Sequence, residues 1–575
     1  MKLNKILYGI LAIGALSTSC TDKMEYHEYI NYDEDYVKLN FANIGGLVAN
    51  TYLYLDTDFG NYSGALLASA SDESEYAYSS NQIADFYNGS WSPTNAKSSI
   101  WTSSYEGIAY CNLFLDKYTG LTFPELQLNE DYKAQLYRYN NYQYEMRFLR
   151  AYFYFNLVRQ YGDVAFSDHM MTAEESNALT RRPAQEVFDF IIDECDAIKN
   201  EIIEDYSNLE VPLPSEPSET GRANKRAVLA LKARTALYAA SPLFNTTNDK
   251  ELWKRAATAN KELLDECKAY NMTLVSDYST LWSVDNYKDT KELIFGRRAN
   301  RENSTMESYN FPAGLTGSSG GNCPTQTLVD AYEMKETGLR WNEAGSGYQA
   351  DAPYEGRDPR FEKTIARNGE TGWPTWNTEA LETFQNGSNG EPLTGGTPTG
   401  YYLKKYCQGD IDLRDNSTKK VAYHTWITFR LGEFYLNYAE AMFKYMELSG
   451  QSKAAYALAD DFTMTANEAV NKTRQRAGIL DFPSDMSNDD WWEKYKNERM
   501  VELAFEGHRF WDVRRWKEAG KYFTSIDEMK ITKNGNDFSY TRKTVSRQWD
   551  DKMYFFPIPR TEIMKNPNLG QNPGW

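Results

Sequence analysis

One segment restricts the fold of this chain more than any other. Residues 224–240 read NKRAVLALKARTALYAA, with alanines at steps of three and four residues. Such steps place the alanines on one stripe of a helix, and small side chains on a stripe let a second helix approach closely. Residues 252–270, after a short loop around Pro242, are the expected partner. The segment therefore predicts a closely packed antiparallel pair of helices.

Other segments repeat this helical pattern. Residues 429–446 and 466–477 predict a second pair, and residues 183–199 predict a further amphipathic helix. Residues 142–161 carry apolar side chains on nearly every face, as a buried helix does, and Gly162 follows as a C-terminal stop. We therefore expect a mainly all-α fold of tetratricopeptide-like helix pairs with irregular spacing.

Two long segments interrupt the helical pattern. Residues 302–330 contain several glycines, and residues 342–400 are rich in Gly, Pro, Thr, Asn and Trp. Loops of this length inside a folded protein are usually functional or disordered, and their aromatic content argues against disorder. The sequence therefore predicts a helical scaffold with long inserted loops, and we expect the two insertions to border the same face.

Composition excludes several classes of function. The chain of 575 residues has a formal net charge of −19, which argues against nucleic acid as a partner. Its cysteines lie far apart in the sequence and its histidines form no HExxH motif, so we expect no catalytic metal, redox pair or cofactor. Aromatic residues make up 15% of the chain, and such rings either pack a core or, when exposed, stack on sugar rings.

The N-terminus has the pattern of an export signal. Lys2 and Lys5 precede an apolar run that, at about 11 residues, is too short to span a bilayer. Small residues follow, and then Cys20. We predict a signal peptide at 1–19, a lipid anchor on Cys20 and a tether over residues 20–45. The alternative is an ordinary signal peptide followed by a coincidental cysteine.

Several motifs together carry a family resemblance. The most specific are NERMVELAFEGHRFWDVRRW at residues 497–516 and YFFPIPRTEIMKNPNLGQNPGW at residues 554–575. The others are YEGIAYCNLFL (105–115), EMRFLRAYFYFNLVRQYGD (145–163), GRANKRAVLALKARTALYAASPLFN (221–245), RDPRF (357–361) and RLGEFYLNYAEA (430–441). In this order the motifs resemble the SusD/RagB family of outer-membrane lipoproteins of Bacteroidetes-type bacteria.

The resemblance implies an architecture and a role. It implies one SusD-like domain over residues 46–575, with an N-terminal helical part at 46–290 and a C-terminal part with ligand-side loops at 291–575. It also implies a non-enzymatic protein in the outer membrane, at the cell surface. Family members bind oligosaccharides, occasionally other nutrients, and pass them to a SusC-like TonB-dependent transporter, which is therefore the expected partner.

The motif at 497–516 permits a catalytic alternative. Glu498, Glu502 and Glu506 are four residues apart, which would place them along one helix face, and a glycosidase needs two carboxylates. Neighbouring arginines would lower the pKa of these carboxyls, which is wrong for a general acid. The arginines close in sequence are Arg499, Arg509, Arg514 and Arg515. We favour a structural ion-pair network.

Three other functions stay open beside a glycan-binding protein without enzymatic activity. The first is a lipid-anchored glycoside hydrolase that uses the glutamates of residues 497–516. The second is a binder of peptides or other non-sugar nutrients with the same fold. The third is a structural lid of the transporter that has no ligand of its own.

A sugar-binding site needs an aromatic ring with hydrogen-bonding groups beside it. Trp91 lies beside Asn88 in such a loop, and the resemblance places ligand contacts in this loop. Trp101 is a candidate for either the core or the site, and Asp72 and Glu73 for either hydroxyl contacts or a solvated loop. The inserted loops add further candidate ligand-binding rings, which are Tyr309, Phe311, Trp341, Trp373 and Trp376.

Overall fold

The computed structural model of the chain describes residues 34–213, 221–282, 291–298, 305–414, 424–459 and 461–575. The predicted signal peptide, Cys20 and residues 20–33 of the predicted tether lie outside these ranges. Within the described ranges, no helix combines the length and the apolar composition that crossing a bilayer requires.

The described residues are mainly helical, as predicted. In chain order the helices are α1 (Glu34–Lys38), α2 (Phe41–Tyr52), α3 (Ser99–Lys117), α4 (Tyr132–Tyr161), α5 (Ala173–Ala178), α6 (Ala184–Ile198), α7 (Lys225–Ala240), α8 (Lys250–Ala269), α9 (Thr305–Asn310), α10 (Gln326–Ala331), α11 (Arg360–Thr364), α12 (Leu431–Leu448), α13 (Ala466–Ala477), α14 (Asn488–Glu502), α15 (Arg509–Arg515), α16 (Ala519–Tyr522) and α17 (Arg560–Lys565).

The strands are short and pair in twos. They are β1 (Ser74–Tyr76), β2 (Val164–Ala165), β3 (Arg181–Arg182), β4 (Leu293–Arg298), β5 (Asn322–Pro324), β6 (Ile365–Ala366), β7 (Tyr402–Leu403), β8 (Thr425–Arg430), β9 (Ser525–Asn534) and β10 (Asp537–Ser546). The antiparallel pairs are β1 with β5, β2 with β3, β4 with β8, β6 with β7 and β9 with β10.

The predicted helix pairs are confirmed. Helix α7 begins behind Asn224, whose side-chain oxygen accepts a hydrogen bond from the backbone N–H of Ala227 at 3.1 Å. Asn260 of α8 is buried and donates to the backbone oxygen of Ala233 in α7 at 3.4 Å, an approach that the alanine stripe permits. Helix α12 packs against both α8 and α13. Helix α4 ends at Gly162, which has a φ of +73°.

The starts of two predicted helices are wrong. The helix predicted at 142–161 begins much earlier, at Tyr132. The helix predicted at 429–446 begins at Leu431, because Phe429 lies in β8 and pairs with Phe295 of β4. The apolar run at this point therefore belongs partly to a buried strand and partly to a helix. Periodicity alone does not separate the two over so few residues.

The predicted tether is too long. Residues 34–45 form α1 and the start of α2, so only the part before residue 34 remains a predicted tether. The side-chain oxygen of Asn40 accepts from the backbone N–H of Asn43 at 2.9 Å, which caps α2. Phe41 and Ile44, one turn apart, are buried, and the Phe41 ring lies 4.3 Å from that of Phe123. The acidic, tyrosine-rich composition concealed these two core positions.

The glutamates of residues 497–516 lie in a buried ion-pair network, as the structural interpretation predicted. Glu502 accepts from Arg360 at 2.8 Å and from Arg430 at 2.7 Å, and Arg476 is its third partner. Burial raises the pKa of Glu502, but Arg476, Arg430 and Arg360 outweigh this and hold it well below its usual range. Glu506 pairs with Arg430 at 2.7 Å.

Two details of that prediction are wrong. Helix α14 ends at Glu502, so Glu506 lies beyond it, after a turn in which Phe505 has a φ of +62°. The partners also come from distant segments, because arginines adjacent in the helix point to another face. The neighbouring arginine Arg499 instead binds Asp512 at 2.6 Å.

Two further buried carboxyl groups, those of Asp72 and Glu73, lie in the segment before β1. Both carboxylate oxygens of Asp72 accept from Arg509, at 2.8 and 2.7 Å. Glu73 is buried beside it, and its Oε1 has no hydrogen-bond partner in the described part of the chain. Burial, and then the charge of Asp72, raises the pKa of Glu73 to about 8.

Removing the central carboxylate should destabilise the fold. Glu502→Gln leaves Arg360, Arg430 and Arg476 without full compensation, and we expect a loss of about 3–5 kcal/mol in the free energy of unfolding. Glu493→Gln, on the same helix with a half-exposed side chain, should cost about 1 kcal/mol or less. Urea unfolding at pH 7 measures both, and equal losses would contradict the assigned role of Glu502.

Glu73 should make the fold weaker as pH rises. Its folded-state pKa lies above the ordinary value of 4.5, so between about pH 4.5 and 8 the unfolded chain releases this proton first. Glu73→Gln should remove this loss, which we expect to be on the order of 1–4 kcal/mol across that window. Unfolding free energies at pH 5 and pH 8 measure it, with Glu174→Gln, on the exposed side of α5, as the control. Identical pH dependence in all three proteins would refute the assignment.

Candidate functional site

Trp91 and Trp101, the latter in the first turn of α3, are both buried. Trp91 is 3% exposed, and the rings of Phe86, Phe556 and Trp575 lie 4.7, 4.5 and 5.1 Å from it. Trp101 is also buried and lines the wall of an open groove of about 410 Å³. Neither ring presents an exposed face on which a sugar could stack.

The fold separates the three polar candidates that precede Trp91, which are Asp72, Glu73 and Asn88. Asp72 is engaged by Arg509, and Glu73 is enclosed in the core. Asn88 is exposed on a turn, where its side-chain oxygen accepts from the backbone N–H of Ser90 at 2.9 Å. Of these three candidates, Asn88 alone lies at the surface.

Three of the candidate rings in the insertions form one cluster. The buried ring of Phe311 lies 5.6 Å from Trp373 and 6.4 Å from Trp376, both of which are half-buried. The indole N–H of Trp376 donates to the backbone oxygen of Ile411 at 2.8 Å. These contacts fix the loop conformation, which is a packing role.

Trp341 lies in a different place. The guanidinium of Arg542 covers its ring at 3.5 Å from the centroid, and the Tyr348 ring lies 5.5 Å away. Trp341 lines an open cavity of about 300 Å³ together with Asp72 and Tyr522. The structure thus brings two of the predicted residues, Asp72 and Trp341, to one cavity, although both are already paired with arginines.

Tyr309 is the exposed ring among the candidates. It lies in α9 with 39% of its surface exposed, and it rests on the backbone of Gly64. A Cβ at Gly64 would lie 3.3 Å from Tyr309 Cδ1 and only 2.5 Å from the hydroxyl oxygen of Tyr76, and Gly64 has a φ of +94°. Only glycine permits this approach, so the backbone of Gly64 packs against one side of the Tyr309 ring.

Amide and hydroxyl groups are attached to Ser63, the residue before Gly64. The side-chain N–H groups of Asn81 and Gln82 donate to the backbone oxygen and the hydroxyl of Ser63, at 3.1 and 3.0 Å. The hydroxyl of the half-buried Tyr78 donates to the backbone oxygen of Ser319 at 2.7 Å. We call these five residues the Tyr309 surface: Ser63, Tyr78, Asn81, Gln82 and Tyr309.

A buried amide fixes the position of the Tyr309 surface. The side-chain oxygen of Asn322 accepts from the backbone N–H of Leu66 at 2.8 Å, and its side-chain nitrogen donates to the backbone oxygen of Gly64 at 3.1 Å. The same nitrogen donates to the side-chain oxygen of Asn310 at 2.8 Å, and Asn310 follows Tyr309 in α9. Asn322 therefore joins the turn under the ring to the helix that carries it.

Both insertions reach this surface, as expected. Strand β1 pairs with β5 of the first insertion, with Tyr76 opposite Asn322. In the second insertion, a Cβ on Gly395 would lie 2.0 Å from the backbone oxygen of Ser319 and 2.6 Å from the hydroxyl oxygen of Tyr78. Sequence reasoning selected Tyr309 but missed Tyr78, Asn81 and Gln82. The polar run SSNQ after a tyrosine-rich stretch was the available signal.

Two family models match the chain. One, described as "SusD family", matches residues 291–575, and the other, described as "Starch-binding associating with outer membrane", matches residues 28–237. The chain is similar to SusD-like protein P2 of Formosa agariphila, with 23% identity over 83% of this chain and 80% of that protein.

Solved structures share the fold. A SusD-like protein from Bacteroides fragilis superposes with a TM-score of 0.74 and 25% identity over 95% of this chain and 99% of that one. A laminarin-binding SusD-like protein superposes with a TM-score of 0.61 and 19% identity over 93% of this chain and 99% of its own. Since the models match segments in both halves and these likenesses extend over most of each chain, the protein belongs to the SusD/RagB family, as its motifs indicated.

Proposed function

We propose that the protein is a non-catalytic glycan receptor of the cell surface, which binds an oligosaccharide at the Tyr309 surface. The observation that carries this proposal is the exposed ring of Tyr309, held on Gly64, whose neighbour Ser63 accepts hydrogen bonds from the amides of Asn81 and Gln82. A sugar ring has an apolar face of C–H groups that packs on such a ring. Its hydroxyls need donors and acceptors nearby, which the amides supply.

The rigidity of this surface favours binding. Asn322 is fully buried and its side chain makes hydrogen bonds to both the Gly64 turn and α9. Groups that are already held in place lose little conformational freedom when a ligand arrives, so less of the contact energy is offset by ordering. A shallow open surface also suits a ligand that must later be released to another protein.

The carboxylates of the C-terminal motif support a role without catalysis. Burial raises the pKa of Glu506, but Arg430 and Lys405 outweigh it and lower the value, as the arginines do for Glu502. Both carboxylates are buried and paired, so neither is placed to donate a proton to a substrate. This arrangement disfavours a lipid-anchored glycoside hydrolase that uses these glutamates.

The proposed location and partner follow from the family. Its N-terminal model is described as associating with the outer membrane, and we propose attachment through a lipid on Cys20. Residues 20–33 would then lead from the anchor to α1. Family likeness and the motifs at 497–516 and 554–575 support a TonB-dependent transporter of the SusC type as the protein that receives the glycan.

Tyr309 should contribute directly to glycan affinity. A panel of malto-oligosaccharides, laminari-oligosaccharides and peptides first selects a ligand for the purified chain. Tyr309→Ala should then weaken binding about fivefold to tenfold, a loss of roughly 1 kcal/mol or more, because the stacking ring is gone. Tyr309→Phe should retain most of the affinity. Isothermal titration calorimetry measures each dissociation constant.

A matched tyrosine controls that experiment. Tyr110 is 37% exposed on α3, and its ring lies 5.6 Å from that of Tyr54. Tyr110→Ala should leave glycan affinity unchanged. Folded Tyr309→Ala protein that binds glycan as tightly as the parent would exclude the Tyr309 surface, and a panel in which only peptides bind would favour the peptide-binding alternative.

Asn322 should act on affinity without touching the ligand. Asn322→Ala removes the hydrogen bonds that hold Gly64 and Asn310, so we expect weaker glycan binding and a loss of about 1–3 kcal/mol in unfolding free energy. Asn260→Ala, which removes a buried amide between α7 and α8, should reduce stability but not affinity. Calorimetric titration and urea unfolding separate the two effects, and equal glycan affinity in both variants would contradict the positioning role.

A further inference from the structure

We propose that an open cavity at the N-terminal end of α7 is a second binding site, and that it takes an oxyanion group. The cavity has a volume of about 420 Å³ and is lined by residues from segments 205–207, 221–226, 270–272 and 291–294. This size lies within the range of small-molecule sites, about 300–1,000 Å³. None of its lining residues belongs to the Tyr309 surface.

The first observation is the state of Arg226. It lines the cavity, is 5% exposed, and its guanidinium lies 3.5 Å from the centroid of the Tyr270 ring. Its Nη2 donates to the backbone oxygen of Glu204 at 3.0 Å, whereas Nη1 is buried without a hydrogen-bond partner in the described part of the chain. A buried guanidinium N–H without an acceptor is unfavourable, so negative charge in the adjoining cavity would stabilise the guanidinium.

The second observation is the charge at this helix end. The first turn of α7 contains no acidic residue, although the N-terminus of a 16-residue helix favours negative charge. It contains Lys225, which pairs with Glu266 at 3.0 Å, and Arg226, for which no carboxylate lies within ion-pair distance in the described ranges. A positively charged side chain and the positive end of the helix thus coincide, and Asp205, which lies beyond ion-pair distance, is the carboxylate in the cavity that partly offsets this charge.

The remaining charges of the cavity agree with this assignment. Arg222 is neutralised by Glu145, with which it forms hydrogen bonds through two nitrogens. The carboxylate of Asp205 accepts from the backbone N–H and the hydroxyl of Ser207, at 2.8 and 2.6 Å. Lys291 is exposed at the rim. Apart from the paired Arg222, the lining of the cavity therefore contains two cationic side chains, Arg226 and Lys291, and one carboxylate, that of Asp205.

Two sources supply an oxyanion of this size. One is a sugar unit that carries a carboxylate or a sulfate ester, and this form of the ligand rests on the proposed glycan-binding function. The other is free inorganic sulfate or phosphate, which does not. In both cases the planar guanidinium of Arg226 donates to the oxygens of the anion, with the ammonium of Lys291 as the second donor.

Calorimetric titration of the purified full-length chain tests the site. Sodium sulfate, sodium phosphate, D-glucuronate and D-glucose are compared at constant ionic strength. We expect saturable binding of at least one anion and none of glucose. Tighter binding of glucuronate than of both inorganic anions assigns the site to an acidic sugar, and the reverse order assigns it to the free anion.

Variants of the two cationic residues complete the test. Lys291→Met should weaken anion binding about threefold to tenfold, and Lys268→Met, an exposed lysine of α8 outside the cavity, should not. Arg226→Lys keeps the charge but loses the second donor and should also weaken binding. If the Arg226→Lys protein does not fold, the comparison of Lys291→Met with Lys268→Met tests the proposal. The absence of saturable anion binding, or parental affinity in Lys291→Met, would overturn the proposal. Tyr309→Ala should leave anion affinity unchanged, which separates this site from the proposed glycan surface.

Discussion

The buried carboxylate of Glu502 forms ion pairs with three segments that are distant from one another in the sequence. Its partner Arg360 lies within the second insertion, Arg430 ends β8, and Arg476 lies near the end of α13. An uncompensated charge at any of these positions would be expensive in the core, so each segment is held where the others need it. The second insertion is therefore attached to the helical scaffold by charge as well as by apolar packing.

The same principle operates on a smaller scale at the Tyr309 surface. Here the shared group is the amide of Asn322, which is fully buried and joins β5 to the Gly64 turn and to α9. Buried polar groups that are satisfied in one arrangement specify that arrangement, because any other leaves donors or acceptors unpaired. The exposed ring of Tyr309, on the short helix α9, is thereby held in one position. The scaffold consists of long helices, but the surface that we propose to bind glycan is built from turns and the short helix α9.

Sequence reasoning succeeded where the determinants are local. The alanine stripe and the cap at Asn224 lie within one helix, so the bounds of α7 could be read from the sequence. It failed where the determinants are distant. Trp91 and Tyr309 both have polar neighbours in the sequence, but Trp91 is covered by Phe556 and Trp575, more than 400 positions away in the chain. No local pattern indicates such a contact, and none revealed that Glu506 lies beyond the end of α14.

The overall charge of the protein bears on how two such sites would select ligands. With a net charge of −19, the chain repels anions at long range, whereas the Tyr309 surface presents rings, amides and hydroxyls that are neutral at pH 7. At physiological salt the repulsion is screened over about 8 Å, so an anion that has entered the cavity responds mainly to Arg226 and Lys291. A polyanionic polymer would still be repelled by the negative charge of the protein along its whole length. This combination favours a largely neutral glycan with isolated anionic groups over a polyanion, since only the former gains the local contacts without the long-range repulsion.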